Sequence, residues 1–330
     1  MKFFTFTYGT GVLYGPSAAL DFIYPETGPS TGGQDFIIGG NNFNFTTFDD
    51  EFTGGTLDLV KWTDISSGTG SVSTGATHLL LNSGSTAGSV GGIEMNLALT
   101  NTQFESKIQV PSVSVLPAIV VNLYTMQLYI DASNYVNLEI NKYANGDLKA
   151  EVGVYSAGSL RDSYSEDWTT GVSTFKILRW SNVVYIYANG SLMYTSNQFV
   201  STAAKFRFFC TNLADTYDIQ DIVVSSVNNR TFAVFGNQPV HDTITIGNIR
   251  LRGLTPASVD SRGTDGAYKG LVDVSVVTEA TVTSSNFYEY YYLDNLTLID
   301  NSQYGVKLSK IGDDSVRTPQ SENIGLGGGK

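Results

Sequence analysis

Residues 134–143 read NYVNLEINKY, so Asn137, Glu139 and Asn141 recur at every second position with Val136, Leu138 and Ile140 between them. On a β-strand this alternation puts two amides and a carboxylate on one pleat face and aliphatic side chains on the other. Such a row offers donors and acceptors to sugar hydroxyls. Hydrolysis of a glycosidic bond asks for more, because two carboxyl groups must flank the bond. This strand carries one. In DSYSEDW, Glu166 and Asp167 stand beside Trp168, but neighbours in a strand point to opposite faces. The pattern therefore predicts binding chemistry and no catalytic residue.

Other reactive constellations are missing. The chain has two histidines, His78 and His241, and one cysteine, Cys210, which within FRFFC reads as a small core residue. No His/Cys cluster has zinc spacing, and no glycine loop opens a helix to cradle phosphate. The Gly-rich stretch 81–92, LNSGSTAGSVGG, reads as a loop between strands. Aromatic groups are more promising. Tyr185 and Tyr187 share one face of VVYIYANGSLMYTS, on a strand expected beside the Asn-Glu-Asn row, with Trp168 in a loop to cap them. Stacking planes next to amides suit a pyranose. The competing reading makes these tyrosines half-buried sheet residues or subunit contacts. Tyr288, Tyr290 and Tyr292 also share a face and are expected at a protein–protein interface, where tyrosine is enriched.

The elements that must position these groups are strands. Short alternating segments separated by turns run from 46 to 226, with hairpin signals at Asn145-Gly146 and Asn189-Gly190. No amphipathic helix is evident. Of 330 residues, 42% are hydrophobic and 15% charged, with 34 Gly, 19 Tyr and 18 Phe, a composition of strands and tight turns. The net charge of −12 with no basic run argues against nucleic-acid or anionic-membrane partners. No apolar run approaches transmembrane or signal-peptide length.

In order, FDDEFTGGTLDLVKW, HLLLNSGS, DASNYVNLEI, FKILRWSNVVYIYANGSLMYTS and TYDIQDIVVSS resemble the strands of concanavalin A-like and laminin G-like jelly-roll domains. The resemblance implies an all-β jelly-roll sandwich at 46–226. Family members often bind a structural Ca²⁺ with the opening segment and last strand, for which Asp50, Asp218 and Asp221 are the candidates by position; the competing and preferred reading makes them surface acids at strand ends. No other cofactor is expected. Residues 23–43, IYPETGPSTGGQDFIIGGNNF, are similar to the start of immunoglobulin-like IPT/TIG domains, so 1–45 reads as a Gly/Pro-rich arm or a partial Ig-like segment. The rest of such a domain would be missing or supplied from residues after 226. Residues 227–330 are read as a smaller C-terminal β region and assembly tail. There, IGNIRLRGLTP and YYYLDNLTLID resemble segments of tailed-phage structural proteins.

The expectation is a non-enzymatic virion structural protein, such as a capsid decoration, head fibre, collar or tail component. It would be made in the host cytoplasm and displayed on the extracellular particle. The partners would be other virion proteins, met through the N-terminal arm and C-terminal tail, further copies of the chain, and host-surface glycans held weakly. The rival readings are a tailspike-type glycoside hydrolase and a bacterial surface lectin.

Overall fold

The computed structural model describes residues 19–29, 32–43, 50–112, 120–211, 222–229, 231–240, 242–246, 249–256, 271–278, 282–291, 296–301 and 305–310. Among them every regular element is a strand. The first three are β1 (Ala19–Tyr24), β2 (Thr27–Pro29) and β3 (Asp35–Asn41). Then come β4 (Trp62–Asp64), β5 (Ser71–Thr74), β6 (Leu79–Asn82), β7 (Val90–Met95), β8 (Thr102–Val110) and β9 (Val121–Asp131). They are followed by β10 (Asn134–Lys142), β11 (Leu148–Ser156), β12 (Ser159–Asp167), β13 (Gly171–Trp180) and β14 (Val183–Ala188). After β15 (Ser191–Ser196), β16 (Lys205–Thr211) and β17 (Ile222–Asn229) come β18 (Phe232–Phe235), β19 (Gln238–Val240) and β20 (Ile244–Ile246). The last are β21 (Arg250–Leu254), β22 (Leu271–Val277), β23 (Val282–Tyr291), β24 (Leu296–Asn301) and β25 (Gly305–Lys310).

The described residues form two units, one from 50–229 and one from 19–43 together with 231–310. In the first, two seven-stranded antiparallel sheets face each other. The front sheet has the order β12-β11-β10-β9-β16-β7-β4 and the back sheet β15-β14-β13-β8-β17-β6-β5. The chain repeatedly crosses between them, as from β7 to β8 to β9. This is a concanavalin A-like jelly-roll β-sandwich. The β14–β15 hairpin turns on Asn189 (φ 49°) and Gly190 (φ 83°), the double positive φ that a two-residue hairpin loop demands.

Between the sheets lie Phe104, Ile108, Phe175 and Ile177 from the back and Met126, Leu138, Phe206 and Phe208 from the front, all buried. Burying each such side chain contributes about 1.5–3 kcal/mol. The opening motif explains itself here. Trp62 is fully buried against Phe208 at 5.9 Å between ring centroids, and Asp50 accepts both its indole N–H (2.8 Å) and the Phe52 backbone N–H (2.8 Å). A buried indole keeps its donor satisfied this way. Asp50 and Val227 exchange backbone hydrogen bonds of 2.9 Å each, so the two ends of the jelly roll lie side by side.

The second unit is made from both flanks of the jelly roll. One sheet has the order β1-β3-β21-β20 and the other β19-β18-β22-β23-β2, and β24 pairs with β25 alone. Of the segment 1–45, read as an arm or partial Ig-like segment, the described residues thus form the strands β1, β2 and β3. β3 takes β21 as a partner with Ile38 opposite Leu251, and β2 runs parallel to β23 with Gly28 opposite Tyr290. Adjacent ends are what insertion of one domain into another requires. Phe36, Ile38, Phe235, Leu251, Val274, Val276 and Tyr288 make the shared core. Tyr288 is therefore corrected: it is fully buried, edge-on to Phe235 at 5.0 Å, and is not a surface contact. A side chain at Gly28 would collide with it, since a Cβ there would sit 2.0 Å from its hydroxyl oxygen. The Tyr290 side chain and Tyr292 lie outside the described residues.

Candidate functional site

Outward-facing residues of the front sheet align across strands in four rows. The first runs Lys205, Tyr129, Tyr135, Tyr155 and Leu160. The second runs Glu94, Arg207, Gln127, Asn137, Gly153 and Ser163. The third is Gly92, Phe209, Thr125, Glu139, Glu151 and Ser165. The fourth holds Thr211, Asn122, Asn141, Lys149 and Asp167. Successive rows are about 7 Å apart along the strands, and six strands span about 24 Å. The face is thus large enough for several linked sugar rings. Irregular register in β9 keeps the rows aligned: between Ile140 and Asn141 the pairing slips, so Tyr124 turns inward while Asn122 and Thr125 stay outward. Tyr124 is buried, shares a 2.8 Å hydrogen bond with Ser106 of β8, and its phenol is pushed well above its ordinary pKa by burial.

The centre of the face is one connected network. Glu139 accepts Asn137 Nδ2–H at 2.7 Å and Asn141 Nδ2–H at 3.2 Å. Asn141 Nδ2 also donates to Glu151 at 2.7 Å, and Glu151 accepts the Tyr143 hydroxyl (2.8 Å) and the Ser165 hydroxyl (3.3 Å). Gln127 Nε2 donates to Asn137 Oδ1 at 2.8 Å, and Asn122 Nδ2 to Asn141 Oδ1 at 3.1 Å. Burial raises the Glu139 carboxyl above its usual range. The Asn141 and Asn137 hydrogen bonds pull it down only in part, and the nearby Glu151 charge adds to the rise. Tyr143 is pushed up to about 12 by desolvation and by its bond to Glu151.

One rim is aromatic. Tyr135 and Tyr155 stack at 4.4 Å, both half-buried. Next to Tyr135 in the same row, on β9, Tyr129 has Arg207 3.2 Å over its ring, and Arg207 with Lys205 (2.7 Å) pairs with Glu94. Burial would raise Glu94, but the Lys205 and Arg207 contacts outweigh it and hold the carboxyl below its ordinary value. These cations are thus committed to Glu94.

The structure brings together Asn137, Glu139 and Asn141 as the alternation predicts, with Asn141 nearly buried (5% exposed) as the donor that joins two carboxylates. It separates the others. Tyr185 and Tyr187 are corrected: they lie on β14, which pairs with β13 and β15 in the back sheet, not beside β10. Tyr187 is buried beneath Lys176 (4.8 Å), and burial raises the Tyr185 phenol. Trp168 caps nothing on this face; its ring packs on Phe175 at 5.2 Å and its indole donates to Ser173 at 3.2 Å. Asp50 serves Trp62 and Phe52, while Asp218 and Asp221 lie outside the described residues. No group of three or more His, Cys, Asp or Glu is placed to hold a metal among the described residues. Glu166 accepts the Tyr164 hydroxyl (2.9 Å) and Asp167 pairs with Lys149 (3.2 Å), on opposite faces as their adjacency predicts.

Sequence reasoning missed Glu151, Tyr143, Gln127, Tyr129, Tyr135, Tyr155 and Arg207. The signal for Glu151 was present: counted back from the Asn145-Gly146 hairpin, it falls opposite Glu139. The β9 and β16 contributions depend on pairings distant in sequence.

No protein family and no curated protein sequence matches the chain. Among solved structures it is similar to the Bacillus licheniformis β-glucanase, with 15% identity, a TM-score of 0.44, and coverage of 57% of this chain and 99% of that one. It is also similar to a glycoside hydrolase family 16 endo-glucanase from Bacteroides ovatus (15%, TM-score 0.43, 56% and 100%). A third is the Emp47p carbohydrate recognition domain (11%, TM-score 0.44, 56% and 96%).

Proposed function

We propose that the jelly roll is a non-hydrolytic saccharide-binding module, displayed by a virion structural protein whose second unit and chain ends serve assembly. One observation carries the binding half of this reading: amides and carboxylates of Gln127, Asn137, Glu139 and Glu151 lie in rows beside the tyrosines of one partly exposed sheet face. Hydroxyl-rich rings need this pairing of stacking planes with fixed acceptors and donors. The virion half is supported by the sparse charge and the Gly/Tyr/Phe-rich composition. Shallow sites desolvate few groups, so affinity per site is expected on the order of millimolar, or ~4 kcal/mol. Many copies on a particle would convert that into retention.

Calorimetric titration of the full chain with neutral pentasaccharides tests the binding half. Saturable binding that Tyr135→Ala weakens several-fold supports it; no binding to any saccharide rejects it. Detection of the chain in a mass-spectrometric inventory of purified particles tests the virion half.

Hydrolysis is the second reading, favoured by Glu139 standing opposite Glu151. Opposed residues on adjacent strands have Cβ atoms about 5 Å apart, a spacing compatible with the carboxyl pairs of retaining glycosidases. Against it, Glu139 accepts on both oxygens and Glu151 is held by three neighbours, which leaves little freedom for an acid and a nucleophile. New reducing ends from polysaccharide, abolished by Glu139→Gln, would favour hydrolysis over binding alone.

A further inference from the structure

The β1-β3-β21-β20 sheet of the second unit departs from the alternation of a half-solvated sheet. Its inner face carries Ile23, Ile38 and Leu251, aligned across three strands in the core shared with the other sheet. Its outer face should then be polar, as an antiparallel sheet open to water requires. Instead one outer row runs Tyr24, Ile37, Arg252 and Ile244, and the next runs Phe22, Gly39, Arg250 and Ile246. Asp35 and Leu254 stand opposite each other in a third. Phe22, Tyr24, Ile244, Ile246 and Leu254 are between 46% and 70% exposed.

Extent and pattern both bear on what covers this face. Contiguous apolar patches beyond a few hundred Å² are rare on monomers, and Tyr, Phe and Arg are enriched at contacts. With Arg250 and Arg252, the five apolar side chains present on the order of 800 Å², the share each partner gives to a standard interface. In the two central rows the arginines stand on β21 and the aromatics on β1. A Cβ on Gly39 would meet the Phe22 ring at 2.1 Å, so that ring lies across β3.

Two copies meeting through this face are related by a two-fold axis lying between the sheets. An axis across the strands would set arginine on arginine. An axis along the strands sets β21 against the other copy's β3, and β1 against its β20. Arg250 then comes over the other copy's Phe22 ring, Arg252 lies beside its Tyr24, and the isoleucines of β20 pack on its aromatics. A guanidinium over an aromatic face is attractive. Arg252 already meets Asp35 at 3.4 Å, so each copy brings little net charge to the contact. In that one orientation the face is complementary to itself.

Resting on the assembly role given to the second unit, we propose that the outer face of this sheet is a homodimer interface, and that its occupant is the same face of a second copy.

Sedimentation equilibrium of the full chain at micromolar concentration is the test. The expected species has twice the mass of one chain. Ile244→Asp/Ile246→Asp, confirmed folded by near-UV circular dichroism, should weaken the dimer at least tenfold, as loss of central apolar anchors does. Tyr24→Ala should weaken it several-fold. Val172→Asp/Leu192→Asp, which charges equally exposed aliphatics of the jelly roll, should leave it unchanged. A short bis-maleimide should link Tyr24→Cys to Ile244→Cys between copies and should not link Tyr24→Cys to itself. A monomeric wild type overturns the proposal, as does a dimer that survives Ile244→Asp/Ile246→Asp or dissociates with the jelly-roll control. Linking of Tyr24→Cys to itself overturns the strand-parallel axis and the proposal with it. A dimer of this kind in a chain that purified particles lack removes the virion reading and upholds the interface.

Discussion

The front and back sheets of the jelly roll turn the same alternating pattern into two different outer faces. On the front, Gln127, Asn137, Glu139, Asn141 and Glu151 form a continuous chain of hydrogen bonds beside the row of Tyr129, Tyr135 and Tyr155. On the back, Tyr187 is buried under Lys176, while Val172 (60% exposed) and Leu192 (54%) stand in solvent as isolated aliphatics. Both faces share one core. The difference teaches that a binding surface in a sandwich is made by the register between strands, not by the composition of any one strand.

The comparison can be broken most forcefully from below. Phe208→Ala removes a fully buried ring against Trp62 and should cost about 3–5 kcal/mol. Urea denaturation would read this as a lower midpoint, with both faces lost in one transition.

Asn141→Ala acts on the front face alone. It removes the donor shared by Glu139 and Glu151, and leaving buried acceptors unpaired costs about 1–3 kcal/mol. The deficit should shrink on acidification, as the Glu139 carboxylate takes up a proton. A deficit that stays constant from neutral to acidic pH would place the effect in packing instead.

Tyrosine substitutions sharpen the contrast between faces. Tyr135→Ala breaks the stack with Tyr155, costs about 0.2–1 kcal/mol of stability and should weaken saccharide binding several-fold. Tyr185→Ala on the back sheet should leave binding unchanged, which calorimetry checks directly.

The smallest effect is a pH linkage. Glu139 has a folded pKa raised above its unfolded value, so the folded state holds the proton more tightly. Stability from this group is present at low pH and is lost as pH rises through the folded pKa. Relative to Glu139→Gln, the wild type should gain stability as pH falls from neutral toward the ordinary carboxylate range. Paired thermal melts across that range measure it.

These contrasts also mark what was legible in sequence. Period-two alternation assigned Val136, Leu138 and Ile140 to the core and Asn137, Glu139 and Asn141 to one outer face, because side-chain direction is local. Asn145-Gly146 and Asn189-Gly190 marked their hairpins, because turn chemistry is local too. Strand neighbours are not local. β16 reaches β9 across the intervening β10–β15, so Arg207 could not be set beside Gln127 from spacing. For the same reason Tyr185 and Tyr187 fell on the wrong sheet. Tyr288 was misread because alternation distinguishes two faces of a strand without saying which one another sheet covers.

Amide chemical-shift mapping of the full chain, titrated with neutral pentasaccharides, tests the central claim most directly. Front-face binding predicts saturable shifts concentrated on residues 122–129, 135–143, 149–155 and 205–209, with residues 172–195 of β13–β15 unmoved. Shifts confined to β13–β15, or none with any pentasaccharide, would contradict it.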